Sequence, residues 1–170
     1  MTDTFLYFAY GSNMLSRRLK AKGRTPSAQF IGTGFVERHR LIFDKVSTDR
    51  SGKCNIKATT NPADRVHGVL FSILKAEECA LDAAEGLGKG YRKDKVRVVT
   101  PSGEFAAVAY IADNTDPLLR PYDWYKAFVI TGAVEHRLPN TYVQELRTVN
   151  SQSDPDPVRS ARNEAILSDS

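Results

Sequence analysis

The chain has 170 residues, with 24 Lys and Arg against 20 Asp and Glu, for a net charge of +4. Apolar residues make up 41% and charged residues 26%, which is ordinary usage for a globular domain and excludes a wholly disordered chain. The length predicts one domain with a core of its own. The apolar run Phe5–Tyr10 is far shorter than the roughly 20 residues that span a bilayer. It has no basic flank before it and no small-residue cleavage site after it, so no signal peptide is read there. Cys54 and Cys79 do not make a disulfide framework, and a reduced, cytoplasmic protein is the expectation.

Asp3 and Thr4 lead into Phe5-Leu6-Tyr7-Phe8-Ala9-Tyr10, which reads as a buried strand. It stops at the turn residues Gly11-Ser12-Asn13, and Met14–Lys20 then reads as a short helix that Ser12 or Asn13 can cap. Ala28–Val36, Arg40–Val46, Cys54–Thr60 and Val66–Ile73 follow as strands, and Gly68 marks a bulge or a close backbone approach. Lys75–Glu85 predicts a helix with Ala76, Cys79, Ala80, Ala83 and Ala84 on its inner face, closed by Gly86. Tyr91–Thr100 and Glu104–Ala112, joined by Pro101-Ser102-Gly103, form the clearest hairpin. Tyr122–Arg137 predicts a helix with Trp124, Phe128, Ile130 or Thr131, and Val134 inward, and Pro139 opens a last helix ending near Val149.

From Ser151 onward the composition turns to Ser, Asp, Pro and Arg, which reads as a flexible polar tail with at most a helical turn at Asn163–Leu167. Residues 1–150 are the folded domain. The tail's two arginines face four acids, so the body carries +6. Strands interspersed with helices, and an antiparallel hairpin, favour an α+β fold over a doubly wound parallel sheet.

The three histidines are scattered and neither cysteine sits in a Cys-x-x-Cys pair, so no metal site is expected. Gly86–Gly90 follows a helix and lacks a Ser or Thr after its Lys, unlike a phosphate loop, and no serine stands in a Gly-x-Ser-x-Gly elbow. Two features remain. Backbone N–H groups at the Tyr10-Gly11-Ser12-Asn13 turn can hold a carboxylate or an oxyanion, although a capped helix start accounts for the same residues. Glu85 ends a helix beside Leu81 and Leu87. The helix dipole and partial burial there both raise its pKa toward general acid/base duty, and Asp82 nearby can repel it. On the residue alone, an exposed glutamate at a helix end is the simpler account. Tyr7, Tyr10, Tyr91, Tyr110 and Tyr125 can line a polar pocket or pack a core.

Phe5–Met14 resembles the opening motif of the γ-glutamylcyclotransferase family. Val66-His67-Gly68-Val69 is similar to its V-x-G-V strand, and Leu81-Asp82-Ala83-Ala84-Glu85-Gly86 to its L-D-x-x-E-G segment. Lys89-Gly90-Tyr91, Tyr125-Lys126, Gly132-Ala133 and Leu138-Pro139 with Tyr142 follow in the family's order. The resemblance implies a mixed, largely antiparallel β-barrel with flanking helices, no cofactor, and release of 5-oxoproline from a small-molecule γ-glutamyl substrate. It makes Glu85 the acid/base and Tyr7, Phe8, Ala9, Tyr10, Gly11, Ser12 and Asn13 the γ-glutamyl-binding loop. It makes Tyr125 a substrate contact and Tyr91 and Tyr110 pocket walls. The segments Lys45–Asn55 and Asp113–Pro121 carry no family pattern, and such loops often set acceptor preference.

Two other readings compete: a domain of this fold that binds γ-glutamyl ligands without turnover, and a basic barrel that binds nucleic acid through Tyr91-Arg92-Lys93-Asp94-Lys95. That last stretch has one aromatic and no repeat, so nucleic acid is not expected as a partner, nor is a membrane. Whether the chain forms a homodimer is left open. Because a backbone loop is the expected seat of the substrate's α-carboxylate, the excess positive charge reads as incidental to the chemistry.

Overall fold

The computed structural model describes residues 2–169. Strands β1 (Thr4–Ala9), β2 (Gln29–Glu37), β5 (Arg65–Leu74), β6 (Tyr91–Thr100) and β7 (Gly103–Ala112) close into a barrel in the order β1-β5-β2-β6-β7. Every pairing is antiparallel except the seam between β1 and β7, where Tyr7 lies parallel to Val108. Strands β3 (His39–Val46) and β4 (Gly52–Ala58) form a separate two-stranded sheet. The α+β class read from the residues and the largely antiparallel barrel implied by the family resemblance are what the chain forms.

The core is filled from β1 and β5 first. Phe8, Val66, Val69, Leu70, Phe71 and Ile73 are almost wholly excluded from solvent, and burial of this apolar surface is the main favourable term for the barrel. Gly68 keeps its ladder register and is a close approach rather than a bulge. A Cβ there would lie 2.5 Å from the Ala9 carbonyl oxygen and 2.6 Å from the Phe8 ring. The β2 irregularity falls instead between Phe30 and Gly32.

Helices flank the barrel. A 3₁₀ turn (Ser12–Met14) and α1 (Ser16–Leu19) follow β1; then come α2 (Glu78–Glu85), α3 (Asp123–Glu135) and α4 (Asn140–Thr148). Leu15, not Ser12 or Asn13, is the cap of α1, and no side chain caps either turn, because both polar side chains face elsewhere. The inner face expected for α2 is corrected too. Ala76, Cys79, Ala83 and Ala84 are exposed, while Leu81 is fully buried. Alanines bury little area each, so their spacing could not outweigh the stripe Glu78-Leu81-Asp82-Glu85, whose first two acids find partners on β6 and β7 and whose last meets Asn13 in the turn after β1. Gly86 closes α2 in the left-handed conformation, φ 69°.

In α3 the buried face is broad, comprising Trp124, Tyr125, Phe128, Val129, Gly132 and Ala133, whereas Val134 is half exposed. Residues 151–169 also differ from the expected flexible tail. Pro157–Ser168 is helical (α5), opened by Asp156, whose carboxylate accepts from the Val158 and Arg159 N–H groups. Its approach is tied down before it starts. Asp154 accepts from Trp124 Nε1 at 2.8 Å and from Arg159 at 2.7 and 2.5 Å, and Gln152 bridges to Tyr122. Local composition did not reveal these long-range partners.

Candidate active site

Where β1 ends, the chain turns across one mouth of the barrel, and most of the residues singled out above meet there. A small cavity of about 30 Å³ is lined by Tyr7, Tyr10, Gly11, Ser12, Asn13, Glu85, Tyr91, Tyr110, Tyr125 and one residue not anticipated, Cys54. Phe8 and Ala9 do not line it. Phe8 packs its ring against Gly68, and Ala9 pairs with Val69 across the ladder.

Each element brings a specific part. Tyr7 and Tyr10 leave β1 into the mouth. Gly11 keeps the turn close to the opposite wall: a Cβ there would sit 3.0 Å from Cys54 Cβ and 3.4 Å from the Tyr125 hydroxyl, so those side chains would have to give way. The backbone N–H groups of Ser12 and Asn13 start the 3₁₀ turn uncapped, and no acceptor meets them among the described residues. With α1 only four residues long, its dipole adds little, and the donors themselves are the useful feature. Tyr91 donates to the Cys54 carbonyl at 2.6 Å, and the Cys54 N–H donates to the Tyr125 hydroxyl at 3.1 Å, so two tyrosines grip β4 at the cavity wall. Tyr10 donates to the Tyr110 carbonyl.

Glu85 is held at the centre of a polar chain. Asn13 Nδ2 donates to Glu85 Oε1 and also lies 3.1 Å from the Tyr7 hydroxyl, while Asn13 Oδ1 accepts from Arg24 at 2.7 Å. Burial of the carboxyl pushes its pKa up, and Arg24, Arg18, the Asn13 hydrogen bond and Lys45 pull against that rise. Leu87 contributes little cover, since it is exposed. Asp82 does not face Glu85 as an unpaired charge: it accepts from Lys93 at 2.9 Å and from the Tyr110 hydroxyl at 2.6 Å.

Burial raises the pKa of all five tyrosines, so each remains a neutral hydroxyl throughout the working pH range. The buried Cys54 thiol is pushed up to about 12, which keeps it protonated and unsuited to nucleophilic attack. The site thus offers one carboxyl whose pKa burial raises, uncharged hydroxyls, and two N–H donors without an acceptor among the described residues. Among the described residues no group of three His, Cys, Asp or Glu is placed to hold a metal ion, and no helix is long and apolar enough to cross a membrane. Tyr91 is buried at the cavity and Lys93 is tied to Asp82 and Glu78, so this stretch presents no exposed stacking face.

Arg24, Lys45 and Cys54 were missed by the sequence reading. They come from a loop and from a strand pair that join the site only through the fold.

Residues 65–146 match the AIG2-like family. The chain is 32% identical over 152 residues to the γ-glutamylcyclotransferases of Mus musculus and Homo sapiens, an alignment covering 86% of this chain and 79% of each relative. A solved γ-glutamyl cyclotransferase superposes with a TM-score of 0.86 at 29% identity, over 98% of this chain and all of the other. A yeast γ-glutamyl cyclotransferase specific to glutathione shares the fold, with a TM-score of 0.59 at 12% identity over 84% of this chain and 93% of that one.

Proposed function

The chain belongs to the γ-glutamylcyclotransferase family and is an enzyme of that kind; from this premise we propose that it releases 5-oxoproline from a small γ-glutamyl compound, with Glu85 as the single acid/base. The observation that carries the reading is the Glu85 carboxyl. It is part-buried at the end of α2, shares the cavity wall with two N–H donors left without an acceptor among the described residues and with five neutral tyrosines, and has a raised pKa.

The substrate's α-ammonium cannot attack until it loses a proton, and the ionised Glu85 carboxylate takes it. The amine lone pair then forms a bond to the γ-carbonyl carbon, closing a five-membered ring. Charge builds on the carbonyl oxygen, where the N–H groups of Ser12 and Asn13 and a tyrosine hydroxyl can stabilise it. Collapse breaks the bond between that carbon and the departing nitrogen, which receives its proton from Glu85. The ring nitrogen then gives up its second proton through the same carboxylate, so that of the three α-ammonium protons one stays on the lactam nitrogen and two end on the departing amine, which leaves as an ammonium. Glu85 finishes ionised, as it began.

A carboxylate of ordinary pKa would accept the proton weakly; a raised one suits both transfers. The nucleophile is part of the substrate, so orientation supplies much of the acceleration and no covalent enzyme intermediate is needed. Tyr7, Gly11, Tyr91, Tyr110 and Tyr125 would enclose the γ-glutamyl group and exclude water. A 5-oxoproline assay across γ-glutamyl compounds, run on the natural protein and on Glu85→Gln, tests this. Turnover abolished by the substitution supports it, and near-normal release by Glu85→Gln removes Glu85 from the role.

A further inference from the structure

The inner cavity opens outward. Ser12, Glu85, Tyr91 and Tyr125 also line a second, open cavity of about 510 Å³, which forms its vestibule. Five cations stand on that wall: Arg18, Arg24, Lys45, Lys89 and Arg162. None of the five forms an ion pair among the described residues. Two further cations there are already answered, Lys53 by Asp49 at 2.8 Å and Arg159 by Asp154 at 2.5 Å. Of the two acids lining it, Asp49 is paired with Lys53, and Glu85 has no bridging partner among the described residues.

This placement is unfavourable for the protein alone. Burial disfavours the charged forms of Arg18 and Lys45, and Arg24 adds repulsion to Arg18. Lys45 is almost wholly buried, with its ammonium over the Tyr91 ring at 4.6 Å. The Arg24 Nε–H is buried with no acceptor among the described residues. Buried cations and donors without partners are costly, and they persist where an anion can satisfy them. A γ-glutamyl amino acid brings two carboxylates, its own α-carboxylate and that of the departing amino acid, which together with Glu85 still leave two of the five cations without an anion.

Resting on the reaction proposed above, we infer that the preferred departing amine carries a second anionic group beside its α-carboxylate, as an acidic amino acid does. The second group lies in the outer vestibule against Lys89 and Arg162. Both are exposed side chains, one just beyond α2 and one on α5.

The comparison is between γ-glutamyl-glutamate and γ-glutamyl-glutamine, equal in size and different in charge, with γ-glutamyl-alanine as a third substrate. In low salt, kcat/KM for γ-glutamyl-glutamate should exceed that for γ-glutamyl-glutamine by about tenfold. The ratio should fall toward one in about 1 M salt, where the screening length is roughly 3 Å. Lys89→Gln combined with Arg162→Gln should lower the same ratio severalfold, read on two substrates of one folded protein. Release from γ-glutamyl-glutamine and γ-glutamyl-alanine at equal or better efficiency overturns this inference and leaves the proposed reaction standing. So does a ratio that ignores both salt and the double substitution. Release from none of the three overturns both.

Discussion

Asn13 donates its side-chain amide to the Glu85 carboxylate, and Arg24 holds the far side of that amide at 2.7 Å. The contact joins the turn after β1 to the end of α2, 72 residues further along the chain. It fixes which Glu85 oxygen is occupied by a donor and which remains available to a ligand. It also passes part of the Arg24 charge toward a carboxyl that burial would otherwise leave protonated.

Glu85→Gln should keep this contact, because the glutamine oxygen can accept from Asn13. The variant should fold and lose turnover by roughly 10²- to 10⁴-fold, the range a positioned acid/base supplies. Its stability should carry a signature as well. The folded carboxyl titrates above the ordinary value of 4.5. From about 4.5 up to the raised value, the native state therefore holds a proton that the unfolded chain has lost. Native stability falls as pH rises through that window, and a glutamine does not share the fall. Melting temperatures at pH 4 and pH 8 should show the variant gaining on the natural protein at the higher pH. A constant difference would mean that Glu85 is not a buried, shifted acid.

Asn13→Ala removes one of the interactions that favour the ionised carboxyl, so the Glu85 pKa should rise further. The acid limb of the kcat/KM profile should then move to higher pH, with the plateau recovered in part above it. Arg24→Met should move the limb in the same direction, since it removes the positive charge behind the amide. An unmoved limb in both variants would show that another group controls it.

Some of this arrangement was readable from the residues and some was not. The hairpin β6–β7, the αL closure at Gly86 and the close approach at Gly68 follow from local chemistry, and each is found where expected. Glu85 and the Tyr7–Asn13 turn were identifiable as candidates, but only a resemblance raised them above a helix end and a capped turn. The cationic vestibule was not legible. Arg24, Lys45 and Arg162 come from a loop, a strand edge and a segment read as a polar tail, and nothing local links them. Five of the chain's cations are gathered on one cavity wall by tertiary contacts. These include Val46 N–H to the Asn114 carbonyl at 3.0 Å and Gly52 N–H to the Arg120 carbonyl at 2.9 Å. Those bonds tie together the two segments that carried no family pattern.

Tyr125→Phe should reveal a double role for that hydroxyl. It accepts the buried Cys54 N–H at 3.1 Å, so its removal strands a backbone donor and should cost about 1–3 kcal/mol of stability. The loss would also free β4 at the cavity wall, and KM should rise alongside. Chemical denaturation and steady-state kinetics on the same preparation measure both. A variant of unchanged stability would mean that the Cys54 N–H finds another acceptor.

Asp154→Asn tests the docking of α5. The carboxyl is held well below the usual range by its hydrogen bonds to Arg159, with help from Trp124 and the Asp156 N–H. Its contribution is therefore complete above the ordinary value of 3.8 and is lost as pH falls below it. Backbone amides of α5 should exchange with solvent faster in the variant at neutral pH, while those of β5 stay protected. Because α5 carries Arg162 and Asn163 to the vestibule, selectivity among departing amines should weaken with it. Equal protection of α5 in both proteins would place its anchor elsewhere.

Gly132→Ala probes how α3 presses on the turn that carries Ser12 and Asn13. A Cβ at residue 132 would lie 2.6 Å from the Leu15 nitrogen and 2.7 Å from both the Met14 carbonyl carbon and Cβ. These are backbone and fully buried atoms with nowhere to retreat, since Met14, Leu15 and Phe128 are all excluded from solvent. The helix or the turn must shift by several tenths of an ångström. Overpacking of this kind costs about 1–3 kcal/mol. The shift would also displace the N–H groups of Ser12 and Asn13 from the oxygen they are placed to stabilise, and kcat should fall more than KM rises. Ala133→Gly, one residue along, removes a buried methyl without adding a clash. It should lose stability by a comparable amount while kcat stays near normal. Equal losses of kcat in the two variants would show that helix stability, not the position of the turn, limits the reaction.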